Sequence, residues 1–324
     1  GILAGEYECV VVGGVESMSN VPVPYSKGAI DSLMAFSKAR SVGSRMKALA
    51  GLNMKDLIPS APSIAEAATG KSMGQHAEMM ARKNGISREE QDLFALASQQ
   101  HASEAWESGK YAEEVCTVWP KPRFHPVQRD NFVRQDTSLE ALARLAPAFD
   151  RKYGTLTAGN SSGLTDGAAA LLVMSEQKAQ ELGYEPLAYL KSWATASLDP
   201  DDQLLMGPAL AIPQALDKAG LKLAEIDLME MHEAFAAQVL SVLKALECPV
   251  FAKERLGRDE PVGSVDPSRL NVNGGSIALG HPFGATGARM LITAAHELQR
   301  RNLKTACLSL CAAGGLGTAV ILER

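Results

Sequence analysis

The sequence predicts an α/β protein with mostly parallel sheets, and three observations carry that expectation. Short apolar runs rich in β-branched residues recur and are stopped by glycine, as in Cys9-Val-Val-Val-Gly-Gly14. Such continuous runs mark strands buried on both faces. Between them stand amphipathic segments with helix-capping residues. Strand and helix are also joined by glycine-rich turns, the densest lying between Asn271 and Arg289.

At 324 residues and 46% hydrophobic content, the chain can bury a large core in two or three domains. A net charge of −5 and 5% aromatic residues argue against nucleic acid as the main partner. The five cysteines, Cys9, Cys116, Cys248, Cys307 and Cys311, form no C-x-x-C pair, which suits a reducing compartment. No run approaches transmembrane length.

Taken in order, Gly1 to Gly5 reads as the last turn of a helix, so the chain is expected to begin inside a fold. Cys9 to Gly14 reads as a buried parallel strand, followed by a loop, Glu16-Ser-Met-Ser19, at the sheet edge where ligands gather. From Val21 to Ser60 six basic residues (Lys27, Lys38, Arg40, Arg45, Lys47, Lys55) stand against Asp31 and Asp56, a local excess of +4, framed by Pro22, Pro24, Pro59 and Pro62. Phe36, Val42, Met46, Leu49 and Leu52 follow roughly helical spacing. The plain reading is a solvated helix; the sharper one is a docking face for an acidic partner or an anionic membrane surface.

Met73 to Lys83 is an amphipathic helix ended by Asn84-Gly85. The capping box Ser87-Arg-Glu-Glu90 starts a longer helix that runs to about Ser108 and stops at Gly109. His76 and His101 lie on these helices and read as packing or surface residues. Trp119 to Asp136 is a loop. Tyr153 to Gly163 is a Gly/Ser/Thr loop that offers hydroxyls and amides to a polar ligand, but no Gly-Lys-Ser/Thr follows, so it is not a phosphate loop. Asp166 to Met174 and Leu187 to Ala196 read as strands, and Pro208 to Lys218 as a helix closed by Gly220.

Three stretches in the C-terminal half carry chemistry. Ile226 to Met231 is a strand that turns at His232-Glu-Ala-Phe235 into a helix reaching about Leu246. This arrangement presents side chains at a sheet's top edge. A metal site is not indicated, for want of H-E-x-x-H spacing. The Asn271–Arg289 run places His281 and Pro282 in a turn before a helix, Ala288 to Arg301, where unpaired amides face a ligand and a neutral imidazole can donate to an oxyanion. Thr305 to Leu310 is a strand ending in the turn Cys311-Ala-Ala-Gly-Gly315, with a second strand from Leu316 to Leu322. By itself Cys311 reads either as a small core residue or as a poised thiol.

Together these blocks resemble the thiolases, enzymes that join or split acyl units on coenzyme A. Gly280-His-Pro282 resembles the family's Gly-His-Pro block. His232-Glu-Ala-Phe235 stands where thiolases carry Asn-Glu-Ala-Phe, and Cys311-Ala-Ala resembles their Cys-x-Gly. Gly13-Gly-Val-Glu-Ser-Met-Ser19 and Ala158-Gly-Asn-Ser-Ser-Gly163 are similar to further family signatures. His for Asn, Ala-Ala after Cys311 and the basic insert resemble most the β-subunit type of the fatty-acid β-oxidation complex.

The resemblance implies two similar halves stacked in five layers with an inserted loop domain. On that mapping residues 1–20 and 165–184 belong to the N-terminal half, 21–164 to the loop domain and 185–324 to the C-terminal half. It implies thiolytic cleavage of 3-ketoacyl-CoA, with coenzyme A as co-substrate and no permanently bound cofactor. Partners would be acyl-CoA, a second copy of the chain, and a β-oxidation α-subunit or a membrane surface; the setting would be cytoplasm or mitochondrial matrix.

Residue by residue, Cys311 would move the proton at the acetyl-CoA α-carbon, so nearby imidazole and amide groups are expected to depress its pKa. His281 would donate to the thioester oxyanion and activate the nucleophile. His232 would hold the water completing that oxyanion hole. Glu233 and Phe235 would support the pocket, Ser162 would bond the pantetheine arm, and Ala158 and Gly280 would line it. Ala313 would offer its backbone N–H to a second oxyanion. The family's nucleophilic cysteine is expected roughly a dozen residues before Gly1, which would leave this chain inactive by itself. Alternatives are a catalytically silent CoA-thioester-binding subunit, a biosynthetic acetoacetyl-CoA thiolase and a ketosynthase-type condensing enzyme. Cys311 counts against the last.

Overall fold

The computed structural model describes residues 1–20, 24–58 and 65–324. The edges of the basic segment, including Val21, Pro22, Pro59, Ser60 and Pro62, lie outside these. The chain forms two compact units, one of residues 17–64 and one of 1–16 with 65–324.

In the smaller unit, α1 (Lys27–Lys38) is capped by Ser26 and α2 (Val42–Ala50) by a capping box between Ser41 and Ser44. The single helical run expected from Phe36 to Leu52 is therefore two helices, because the serine at 41 satisfies the amides of a fresh N-terminus. Asp56 accepts from the Ser26 hydroxyl at 2.9 Å. Ile30, Met34, Val42 and Met46 remain exposed on these helices.

The larger unit opens with β1 (Cys9–Glu16). Then come α3 (Met73–Lys83), α4 (Arg88–Glu107), the short α5 (Leu139–Ala143), β2 (Gly167–Met174), α6 (Glu176–Leu182) and β3 (Tyr189–Ser197). They are followed by α7 (Gly207–Ala219), β4 (Leu228–Met231), α8 (Ala236–Glu247), α9 (Pro249–Leu256), the one-turn α10 (Ser276–Leu279) and α11 (Phe283–Arg300). β5 (Thr305–Ala312) and β6 (Leu316–Glu323) end the chain. Helices α3 and α4 begin at the capping boxes of Ser72 with Gln75 and Ser87 with Glu90.

β1 and β2 form an antiparallel ribbon, and the larger sheet runs β3-β6-β5-β4. In it β4 and β5 are parallel, while β5–β6 and β6–β3 are antiparallel. Helix α11 packs against both sheets, and α7 covers the opposite face of the larger one. Alternation along β5 divides its side chains between two cores. Ala306 and Leu308 meet Met290, Ala294 and Leu298 of α11, whereas Cys307 and Cys311 join the core built on α7 and α8.

β1 corrects the expectation of a buried parallel strand. It is antiparallel to β2, and Val11 and Val15 are 72% and 73% exposed. Helix α11 packs against this ribbon, yet both valines stay exposed, so β-branched composition alone did not ensure burial. Gly14 is required where β1 meets α11, since a Cβ there would lie 1.7 Å from the Gly284 carbonyl oxygen. Nearby, the Glu16 carboxylate accepts from the Gly284 amide at 3.2 Å, placing a negative charge at the start of α11. That helix begins at Phe283, five residues before the predicted start, because Glu16 and the Pro282 carbonyl organise a first turn that its glycines had hidden.

Candidate active site

Three loops converge at the C-terminal end of the parallel pair β4–β5. The first, Asn160 to Leu164, is tied to the second, His232 to Phe235. The Ser162 amide and hydroxyl both donate to the Ala234 carbonyl at 3.1 Å, and the Ala236 amide donates to the Asn160 carbonyl at 3.0 Å. The third loop carries His281, whose amide donates to the Gly163 carbonyl at 2.8 Å. Gly280 (φ 89°) takes a conformation that a side chain would strain, and a Cβ there would lie 2.4 Å from Thr165.

This scaffolding brings His232 and His281 together, with ring centroids 4.1 Å apart. Phe283 flanks His281 at 4.8 Å, and Phe149 meets Phe235 edge-on at 5.7 Å. His232 Nδ1 lies 2.8 Å from Ser276 Oγ, and His281 Nδ1 lies 2.7 Å from Thr286 Oγ1. His232 Nε2 is buried with no protein partner. Burial, then the neighbouring His281 and Arg289, hold the pKa of His232 well below the usual imidazole range. Burial and Arg289 lower His281 to about 4. Both rings are therefore neutral at pH 7, the form able to accept a proton or to donate without carrying charge.

Beneath the pair, Glu233 is fully buried and accepts from Ser98 Oγ (2.7 Å), Asn271 Nδ2 (2.7 Å) and the Ile277 amide (3.0 Å). Burial raises its pKa, and these three donors oppose the rise. Asn271 also pairs with both backbone groups of Met231, at 2.7 and 2.9 Å, extending the edge of β4 with its side chain. Its φ of 45° is one that asparagine tolerates better than most residues. His101 contacts the Asn271 carbonyl at 3.1 Å, and His76 pairs with Thr69 at 2.8 Å.

Cys311 stands on the neighbouring strand. The His232 amide donates to the Ser309 carbonyl at 2.8 Å, two residues before Cys311 on β5. The thiol is buried and, among the described residues, makes no hydrogen bond to either imidazole. The expected depression of its pKa is corrected: burial pushes it up to about 12, because the thiolate loses solvation and no cation compensates. Cys311 is the penultimate residue of β5 rather than the start of the turn, which comprises Ala313 to Gly315. Ala313 is exposed there, and the Gly314 amide donates to Glu66 at 2.8 Å. Ala158 is exposed in the turn before Asn160.

Sequence patterns did not single out Ser98, Ser276, Thr286, Arg289 or Glu230. Thr286 and Arg289 follow His281 by five and eight residues in the same block, a spacing that places them on successive helix turns. Ser98 and Glu230 carry no local signal. Glu230 on β4 is buried beside Arg289, and burial raises its carboxyl pKa to about 8.

Residues 1–177 match the family profile described as thiolase, N-terminal domain, and residues 184–324 match that of thiolase, C-terminal domain. The chain is 49% identical over 322 residues to a 3-ketoacyl-CoA thiolase of Aliivibrio fischeri, covering 99% of this chain and 73% of that protein. The human mitochondrial 3-ketoacyl-CoA thiolase solved in complex with CoA superposes with a TM-score of 0.81 at 35% identity, covering 100% of this chain and 72% of that one. The Bacillus anthracis acetyl-CoA acetyltransferase gives a TM-score of 0.81 at 36% identity, with 99% and 73% covered. With both profiles matched nearly end to end and this fold, the chain belongs to the thiolase family.

Proposed function

We propose that the chain serves the thiolytic cleavage of 3-ketoacyl-CoA in fatty-acid β-oxidation, with coenzyme A as co-substrate. The observation that carries this reading is the close, neutral pair His232–His281, set where three loops meet and beside the strand that carries Cys311 near its end. The 49% identity to a 3-ketoacyl-CoA thiolase, over nearly the whole of this chain, supports the degradative reaction.

In the cleavage direction a cysteine thiolate adds to the C3 carbonyl of the substrate and the Cα–Cβ bond breaks. The electron pair stays on the departing acetyl-CoA as an enolate, whose carbon takes the Cys311 S–H proton. The Cys311 thiolate then takes the proton of an incoming CoA thiol, whose sulfur attacks the acyl-cysteine and releases the shortened acyl-CoA. A thiol held protonated by burial is the form this step needs. Neutral His232 polarises the thioester oxygen from the outset, and His281 does so once it has taken the proton of the attacking cysteine thiol. Ser162 keeps its hydroxyl lone pairs free to accept from a pantetheine amide, and Glu233 holds the loop beneath. Cys9, Cys116, Cys248 and Cys307 do not stand on the three converging loops, so the reading gives none of them the acyl group.

The test uses the protein as the cell makes it, a long-chain 3-ketoacyl-CoA, acetoacetyl-CoA and free CoA, with products followed by mass spectrometry. Cleavage of the long-chain substrate to acetyl-CoA is expected. CoA-thioester binding without turnover would instead support a silent binding subunit. For the smaller unit we propose an anionic membrane surface as partner, on the strength of its bases beside exposed Ile30, Met34, Val42 and Met46. Co-sedimentation with phosphatidylglycerol vesicles, abolished by salt and absent with phosphatidylcholine, is the expected result.

A further inference from the structure

The two adjacent imidazoles are not equivalent, because the hydroxyls that hold them have different remaining obligations. Ser276 Oγ lies 2.8 Å from His232 Nδ1 and 3.3 Å from Arg289 Nη2. A guanidinium has only N–H groups to offer, so it occupies a lone pair of Ser276. The Ser276 proton and one further lone pair remain for His232 Nδ1, and with the proton directed there Nδ1 is the acceptor. In that arrangement His232 carries its own proton on Nε2, the buried atom that finds no partner among the described residues.

His281 sits in the opposite situation. Thr286 Oγ1 lies 3.2 Å from the Pro282 carbonyl, the back-bond to residue i−4 that threonine makes in helices. A carbonyl only accepts, so in this back-bond the Thr286 hydroxyl is the donor. Its oxygen is left to accept from His281 Nδ1, 2.7 Å away. That puts the His281 proton on Nδ1 and leaves a lone pair on Nε2.

We infer that Ser276, backed by Arg289, and Thr286 are positioning residues that lock His232 and His281 into opposite neutral tautomers, so that the pair offers one N–H donor and one basic nitrogen side by side. Burial and the Arg289 charge reinforce this by disfavouring a doubly protonated ring. The arrangement divides the labour of a single site: His232 can hydrogen-bond an oxyanion throughout, while His281 can take a thiol proton. Its catalytic meaning rests on the acyl-transfer reading, but the tautomers themselves do not.

Long-range ¹H–¹⁵N correlation spectra of the ¹⁵N-histidine protein distinguish protonated from unprotonated ring nitrogens, and the chain has six histidines to assign. Spectra of His232→Asn and His281→Asn identify the two rings. At pH 7 the wild type is expected to show His232 protonated on Nε2 and His281 on Nδ1. Ser276→Ala should let His232 average between tautomers without altering His281, and Ser276→Thr should restore it. Thr286→Val should do the same to His281 alone, with rescue by Thr286→Ser. The same tautomer on both rings, either ring reversed, or variants that leave the ring nitrogens unchanged would overturn the inference. The wild-type spectrum decides even where a variant fails to fold, and it reads the same if the protein proves inactive on 3-ketoacyl-CoA.

Discussion

The β1–β2 ribbon and the four-stranded sheet are built from sequences of one kind, yet they behave as opposites. Cys9-Val-Val-Val in β1 and Thr305-Ala-Cys-Leu in β5 are both short apolar runs. Val11 and Val15 are largely exposed, whereas Cys307 and Leu308 are at most 1% exposed. The difference lies in layers. β5 has α11 on one face and α7 on the other, with hydrogen-bonded neighbours on both edges, while β1 has one strand and one helix. Chemistry follows the same division, since the enclosed sheet carries Cys311 near the end of β5 and leads into the loop of His232. Low dielectric and fixed geometry are available only where solvent is excluded.

Replacing the groups at the end of the enclosed sheet should have the largest effect. Cys311→Ala and His281→Ala are each expected to lower CoA-dependent cleavage by at least roughly 100-fold, the lower range for a lost acid–base group. Near-wild-type turnover in either would remove that residue from the mechanism. Leu308→Ala should cost about 2–5 kcal/mol in urea unfolding, as expected for a truncated core leucine; a cost below about 1 kcal/mol would mean β5 is less enclosed than its burial indicates.

Gly275→Ala comes next. A Cβ there falls 2.3–2.6 Å from the Glu233 carboxylate, so the carboxylate must shift away from Ile277 and Asn271. A loss of about 1–3 kcal/mol with reduced turnover is expected, and unchanged melting would show that Glu233 is free to move. A pH series probes the same enclosed layer more finely. Glu230 titrates near 8 in the fold against an ordinary 4.5, so the folded state holds the extra proton and stability falls as pH rises from about 4.5 to 8. Glu230→Gln should flatten that limb of the melting curve. His281, lowered to about 4 from 6.5, acts at the other end, with stability falling as pH drops from about 6.5 to 4. The smallest change is on the ribbon. Val11→Thr should lie within about 0.5 kcal/mol of wild type, and a loss comparable to Leu308→Ala would erase the contrast between the two sheets.

Much of this was legible locally. The ends of α3 and α4 follow from Ser72, Ser87 and the glycines at 85 and 109, because caps and left-handed stops are satisfied within a few residues of chain. The strands leading to His232 and Cys311, and the family membership carried by the glycine-histidine, histidine-glutamate and cysteine blocks, are readable for the same reason: each depends on neighbours in sequence. Other features depend on neighbours in space, and only the tertiary structure decided them. Strand direction in the ribbon, the exposure of Val11 and Val15, and the early start of α11 under Glu16 depend on partners far along the chain. So do the approach of His232 to His281 and the protonated state of the Cys311 thiol. Desolvation and hydrogen bonding are set by what folding brings within a few ångströms, and a linear order of residues does not record those distances.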